Sequence, residues 1–309
     1  MRRIGLGFAC NNACVFCAQG DLRSAGEPSG EARVAAEIEA VKPGEIVAFM
    51  GGEPTIHERL PAWIEAAGAR GARRVLVQTN GRRLAYAAYA RALKAACKGV
   101  ALEVSLHGST EPMHDYHTSA PGSFKQTILG LKNARVIGIE TSITTVITRS
   151  NFRHLAEIVA VAHSAGARAV RFALAEPFGR AAQARDRVIP AFELVKPHLL
   201  HAAGEARRLG LGVAVGDRAS SPDVVERFAG MGDVEGVGDV GDVVGVEEIA
   251  PVARATVASP PEGERRRVSL AVLGRPAPGK QEIRAQARRS GDDLKAIFPA
   301  LFDAGGGPG

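Results

Sequence analysis

TSITTVITRSNFRHLAEIVAVAHSAGARAVRFAL, residues 141–174, decides the fold. It opens on a β-branched run, Thr141–Ile147, that suits a buried strand. A segment of helical period follows from Phe152 to Ala165 and stops at Gly166, a residue that tolerates the left-handed conformation ending many helices. A second apolar run, Arg168–Leu174, then begins. Strand, helix and strand in this order form a parallel βαβ unit with a right-handed crossover.

The same grammar extends outward in both directions. Strands are expected at Ile4–Ala9, Glu45–Met50, Arg74–Thr79 and Ala101–Leu106, and helices at Glu31–Val41, Glu58–Ala69, Leu84–Ala96, Ser123–Val136 and Ala191–Leu209. Glycines at 71, 138 and 210 close helices as Gly166 does. Six βα units over about 210 residues predict an α/β fold, a partial (β/α)6 TIM-like barrel over residues 1–215 with function at the C-terminal ends of its strands. Beyond Val215 the grammar fails, and residues 216–309 read as a C-terminal extension. Within it, MGDVEGVGDVGDVVGVEE (231–248) is acidic, glycine-rich and without helical period. It reads as a low-complexity linker, its spacing being too short and irregular for a calcium-binding nonapeptide array. A proline-punctuated basic stretch follows, and a last helix is plausible over Gln281–Phe302.

Composition narrows the function classes. The chain has 309 residues, 46% of them hydrophobic and 23% charged, and no apolar run long enough to span a bilayer. With no signal-peptide pattern at its start, a cytoplasmic protein without a membrane partner is the expectation. The formal net charge of +6 comes from scattered arginines, and with aromatics at 5% no basic and aromatic platform for nucleic acid is visible.

Three of the four cysteines stand together in CNNACVFC, residues 10–17, at the end of the first strand. Clustered thiols without partner spacing argue against disulfides in a reducing compartment. A structural zinc site needs a second ligand pair, and Cys97 stands alone far along the chain. A [4Fe–4S] cube held by three thiolates leaves one iron open to an outside ligand, and one short loop can wrap three of its corners. The spacing C-x3-C-x2-C suits that, with Phe16 as the aromatic before the third cysteine.

On these residues the chain resembles the radical S-adenosylmethionine (SAM) superfamily. A second motif supports the resemblance: VAFMGGEPTIH places Gly51, Gly52 and Glu53 directly after the second strand, where family members carry GGE. The resemblance implies that Cys10, Cys14 and Cys17 ligate a [4Fe–4S] cluster and that Phe16, Gly51, Gly52 and Glu53 flank SAM, whose methionine group chelates the fourth iron. It further implies reduction by a flavodoxin or ferredoxin, and SAM cleavage to a 5′-deoxyadenosyl radical that abstracts hydrogen from substrate. Bulk at Gly52 is then expected to weaken SAM binding while leaving iron content intact.

Later strand ends carry weaker matches. Thr79-Asn80-Gly81 is similar to the TNG of many relatives, though an Asn-Gly turn also explains it. Ser105 closes the fourth strand where relatives contact the ribose. Asn151 follows the fifth strand and reads either as a cofactor contact or as a helix N-cap. Arg171, on the sixth strand, either faces the barrel interior toward cofactor or substrate or does not, since alternation alone leaves its side open. His107 reads as a substrate contact or a solvated loop residue, and His114 to His117 as a polar cluster in a long loop, with metal binding the less favoured reading. Pro177 and Gly179 read as turn chemistry.

The block from 104 to 151 is similar to the branch of cofactor-biosynthesis enzymes and peptide maturases, which implies a peptide or small-molecule precursor as substrate. Many maturases of this branch carry further cysteines for auxiliary clusters, and this chain has none after Cys97. The alternative reading is a non-catalytic iron–sulfur carrier or sensor, which has no use for GGE or TNG.

Overall fold

The computed structural model describes residues 1–20 and 30–216. The expected linker 231–248 and terminal helix lie outside them. Seven strands form one parallel sheet in sequence order: β1 (Arg2–Gly5), β2 (Ile46–Met50), β3 (Arg74–Thr79), β4 (Val100–Ser105), β5 (Glu140–Ile147), β6 (Ala169–Leu174) and β7 (Gly212–Val215). Among the described residues each pairs only with its neighbours, so the sheet they form is open rather than a full barrel. The sequence pattern predicts six strands, and the seventh is a correction. GVAV is four residues long and follows Gly210, too short and too weakly apolar to register as a strand until it pairs with β6.

The crossovers are helical: α1 (Glu31–Glu39), α2 (Leu60–Ala69), α3 (Ala87–Ala96), α5 (Ser123–Ile137) and α6 (Leu155–Ala165), with α9 (Phe192–Arg208) between β6 and β7. Gly71, Gly138, Gly166 and Gly210 all have positive φ at or just past helix ends, as expected. Three shorter helices decorate the rim: α4 (Glu111–Thr118), α7 (Gly179–Gln183) and α8 (Arg185–Val188). α4 corrects the expected long loop after β4. Its helical period is hidden because His114 and His117, polar in sequence, are two of its buried residues.

The two faces of the sheet differ in chemistry. On the helix-covered face Val47, Phe49, Val75, Val77, Leu102, Val104, Ile143 and Phe172 join one large core with Leu60, Leu93, Leu131 and Leu199. Burying such side chains stabilises by roughly 1.5–3 kcal/mol each. Alternation sends the intervening residues to the inner face, where Ala48, Leu76 and Ala101 form a small separate apolar layer. Further along the strands that face turns polar. Glu103 accepts from Thr144 Oγ1 at 2.6 Å and lies 3.6 Å from Arg171 Nε.

Candidate active site

The cysteine loop is held mainly through its backbone, and by remote segments. Ala13 N donates to Thr118 O at 2.8 Å and Val15 N to His117 O at 2.9 Å, so the end of α4 supplies two carbonyls to the loop. From β3, Asn80 Nδ2 donates to Asn11 Oδ1 at 2.6 Å, and Arg82 Nη1 reaches Asn12 Oδ1 at 2.8 Å and the Asn11 carbonyl. From the far side, Arg180 N donates to Cys17 O at 3.1 Å, and its guanidinium reaches Cys14 O at 3.4 Å. Gly179, with φ +51, lies so close to this loop that a Cβ would stand 2.5 Å from both Cys17 O and Ala18 O. Turn chemistry is therefore only part of its role. The larger constraint is close backbone approach.

The end of β2 packs against the segment leading into the loop. Glu53 N donates to Ala9 O at 2.8 Å, and Gly52 N donates to Gln19 Oε1 at 3.1 Å. A Cβ on Gly52 would stand 2.1 Å from Ala9 O, and one on Gly51 2.8 Å from Gly7 O. Both glycines also have positive φ. Residue 52 thus abuts the residue before Cys10, so bulk there would press on the start of the cysteine loop itself.

Glu53 is a buried hub. Its Oε1 accepts from Thr55 N at 3.0 Å, Thr55 Oγ1 at 2.6 Å and Thr79 Oγ1 at 2.6 Å, while Oε2 accepts from Asn80 N at 2.6 Å. Burial pushes its pKa up against the pull of these donors. The carboxylate thus locks the ends of β2 and β3 together and joins the two motifs.

Across the rim, three buried histidines take the corresponding place. His107 Nδ1 accepts from Val146 N at 3.2 Å, and His107 N donates to His114 Nδ1 at 3.1 Å. His117 reaches Met113 O at 2.7 Å through Nδ1, and Thr148 and Ser150 hydroxyls at 2.7 and 2.8 Å through Nε2. Burial lowers the basicity of all three, to about 4 for His114. Phe16 packs edge-on against His107 with ring centroids 4.7 Å apart.

These elements enclose one cavity of about 360 Å³ at the C-terminal ends of the strands. Cys10, Cys14, Cys17 and Phe16 line it with Gly51, Gly52, Glu53, Thr79, Asn80 and Ser105. His107 is on the wall too, and is buried rather than solvated. Two of the residues expected to contact the cofactor are not brought to the wall. Asn151 is fully buried, its Oδ1 accepting from Thr148 N at 2.8 Å and its Nδ2 donating to the carbonyls of His107 and Val146 at 3.0 and 2.9 Å. Its amide bonds loop backbone, and it makes no side-chain cap either. Arg171 does face the barrel interior, but below the cavity beside Glu103.

Gln19, Arg82 and Arg180 join the site without having been singled out. Each adjoins a recognised motif, but their contacts span from 33 residues (Gln19 to Gly52) to 166 (Arg180 to Cys14). No local pattern encodes pairings of that range.

The donor set can be tested against an iron–sulfur cluster. Among the described residues no three Cys, His, Asp or Glu side chains converge on a single metal position. A cube makes a different demand, because each thiolate binds a different iron and the sulfurs stand apart. Three thiols on one cavity wall, with no carboxylate or imidazole converging on them, suit soft iron–sulfur ligation and not a lone ion.

Residues 4–162 match the family described as the Radical SAM superfamily. The chain belongs to the radical SAM superfamily. Relatives in it include an AdoMet-dependent heme synthase of Nitratidesulfovibrio vulgaris, 33% identical over 60% of this chain and 50% of that protein. A mycofactocin maturase, MftC, of Mycolicibacterium smegmatis is 28% identical over 74% of this chain and 55% of its own length. The chain therefore spans about half the length of these curated relatives. Streptococcus suis SuiB bound to S-adenosylmethionine superposes with a TM-score of 0.54 at 15% identity, over 70% of this chain and 51% of that one. SuiB bound to its precursor peptide SuiA gives 0.53 at 13% identity, over 74% of this chain and 50% of that one. These likenesses show the shared fold, an open α/β barrel of the radical SAM type. Membership of the superfamily implies a [4Fe–4S] cluster and SAM. No helix among the described residues is long and apolar enough to cross a membrane.

Proposed function

We propose that the chain binds one [4Fe–4S] cluster through Cys10, Cys14 and Cys17, binds SAM in the adjoining cavity, and abstracts hydrogen from a peptide or a cofactor precursor. The observation that carries this reading is the single cavity that collects all three thiols and the GGE segment at neighbouring strand ends. When bound and reduced, the cluster supplies the electron for reductive cleavage of SAM, the source of the radical that attacks substrate.

The chain's own residues position and insulate. Gly51 and Gly52 bring bare backbone to the cavity, and Glu53 fixes that backbone by bonding β3. Ser105 offers a hydroxyl suited to ribose. Phe16, Val146, Ala173 and Ala175 add an apolar lining that keeps water and stray hydrogen donors out. A flavodoxin or ferredoxin is the reductant in this reading, residues 1–215 are the catalytic unit, and residues 216–309 are a separate extension available for substrate recruitment.

Substrate class rests on the relatives. Mycofactocin maturase and the SuiB–SuiA complex favour a ribosomally made peptide, and heme synthase favours a cofactor precursor. Anaerobic incubation of reconstituted protein with dithionite and SAM should release 5′-deoxyadenosine, measured by mass spectrometry. A full complement of iron without any cleavage would make the chain an electron carrier or sensor instead.

A further inference from the structure

His107 differs from the other polar groups on the cavity wall in what its ring has left unused. It is only 3% exposed and stands two residues beyond Ser105. The Val146 amide can only donate, so the Nδ1 it meets carries no proton, and a neutral ring must hold its proton on Nε2. The ring cannot easily turn away. Phe16 packs edge-on against it, and His114 stacks at 6.0 Å with the planes 9° apart. The main chain is fixed as well, N to His114 Nδ1 and O from Asn151 Nδ2. Among the described residues nothing accepts from Nε2, yet it is not sealed away like the buried, unpartnered Nε2 of His114. A rigid N–H donor is thus left for whatever fills the cavity.

Position suggests which part of the occupant it meets. Strands lie about 4.8 Å apart, so β4 stands roughly 10 Å from β2. A SAM molecule with its methionine end at the cysteine loop and Gly51–Gly52 would extend its adenosine toward β4 and β5. Charge agrees with this. SAM carries a positive sulfonium, which an imidazolium would repel, and burial with the neighbouring rings keeps His107 uncharged. We propose that His107 donates its Nε2–H to an acceptor on the adenosine part of SAM, a ring nitrogen or a ribose oxygen. This rests on the reading that SAM occupies the cavity.

The test is SAM affinity of the oxidised, iron-loaded protein, measured by equilibrium dialysis so that no turnover is needed. His107→Phe keeps a flat ring beside Phe16 and removes the donor. His107→Asn keeps an acceptor near Nδ1 for Val146 and also removes it. His107→Gln places a carboxamide N–H near Nε2. The Phe and Asn variants should bind SAM about tenfold more weakly with iron per chain unchanged, the scale of one lost hydrogen bond, while Gln stays within about threefold of wild type. If the Phe variant fails to take up iron, the Asn variant decides by the same criterion. Wild-type affinity in an iron-replete Phe or Asn variant overturns the inference alone. An iron-replete wild type that binds no SAM overturns the reading beneath it as well.

Discussion

The two halves of the cavity rim solve the same problem with opposite chemistry. On the β2–β3 side one buried carboxylate, Glu53, gathers four donors from Thr55, Thr79 and Asn80. On the β4–β5 side neutral imidazoles accept from backbone amides, with His107 holding Val146 N and His114 holding His107 N. A carboxylate offers several lone pairs and can gather several donors from two strand ends at one point, whereas an imidazole accepts once and leaves a second nitrogen for another task. The first half therefore reads as a brace and the second as a brace with a donor to spare. The halves should also fail differently when perturbed.

The largest effect belongs to the cysteine loop that both halves hold. Cys10→Ala, Cys14→Ala and Cys17→Ala should each abolish the reconstituted cluster, read as iron per chain and visible absorbance. Cys97 stands just past α3 and off the cavity wall, so Cys97→Ala should keep its iron. Equal iron loss in the Cys97 variant would sink the three-ligand assignment.

Gly52→Val comes next, and it sharpens the role of the first half. Because a Cβ there would meet Ala9 O at 2.1 Å, the variant should lose iron as well as SAM affinity. Iron retention with only SAM affinity reduced would mean that the backbone yields more easily than this close approach implies.

The second half predicts a pH dependence. His114, with its basicity lowered to about 4, stays neutral in the folded protein while an unfolded chain protonates it below its ordinary value near 6.5. Between these limits the unfolded state binds the extra proton, so stability rises with pH and is lost as pH falls from about 6.5 toward 4. The contribution is about 3 kcal/mol by linkage. Urea unfolding of the metal-free protein at stepped pH should show this slope, and His114→Leu should reduce it while leaving the shares of His107 and His117.

Glu53→Gln probes the carboxylate brace. The amide turns one acceptor into a donor facing groups that themselves donate, so about 1–3 kcal/mol of stability should be lost. A change below about 0.5 kcal/mol in denaturant unfolding would show that the hub is dispensable.

Arg171→Met is the smallest expected effect, because the guanidinium lies below the cavity at 3.6 Å from Glu103. SAM affinity should change less than about threefold, a difference of under 1 kcal/mol. A larger loss would place Arg171 among the cofactor contacts after all.

The sequence by itself determined the parallel α/β class, six of the seven strands, the helix-ending glycines and the cysteine, GGE and TNG motifs. These are local signals: alternation, helical period, left-handed turns and thiol spacing each act within about ten residues. Only the tertiary structure decided that GVAV is a strand, that His114 and His117 lie on a helix and face inward, and that Asn151 bonds backbone while Arg171 pairs with Glu103. It alone showed Gln19, Arg82 and Arg180 clasping the cysteine loop and left His107 with a donor facing the cavity. The physical reason is range. A buried polar group must find a partner somewhere, and which distant strand end supplies it is set by crossover geometry, which no run of neighbouring residues records.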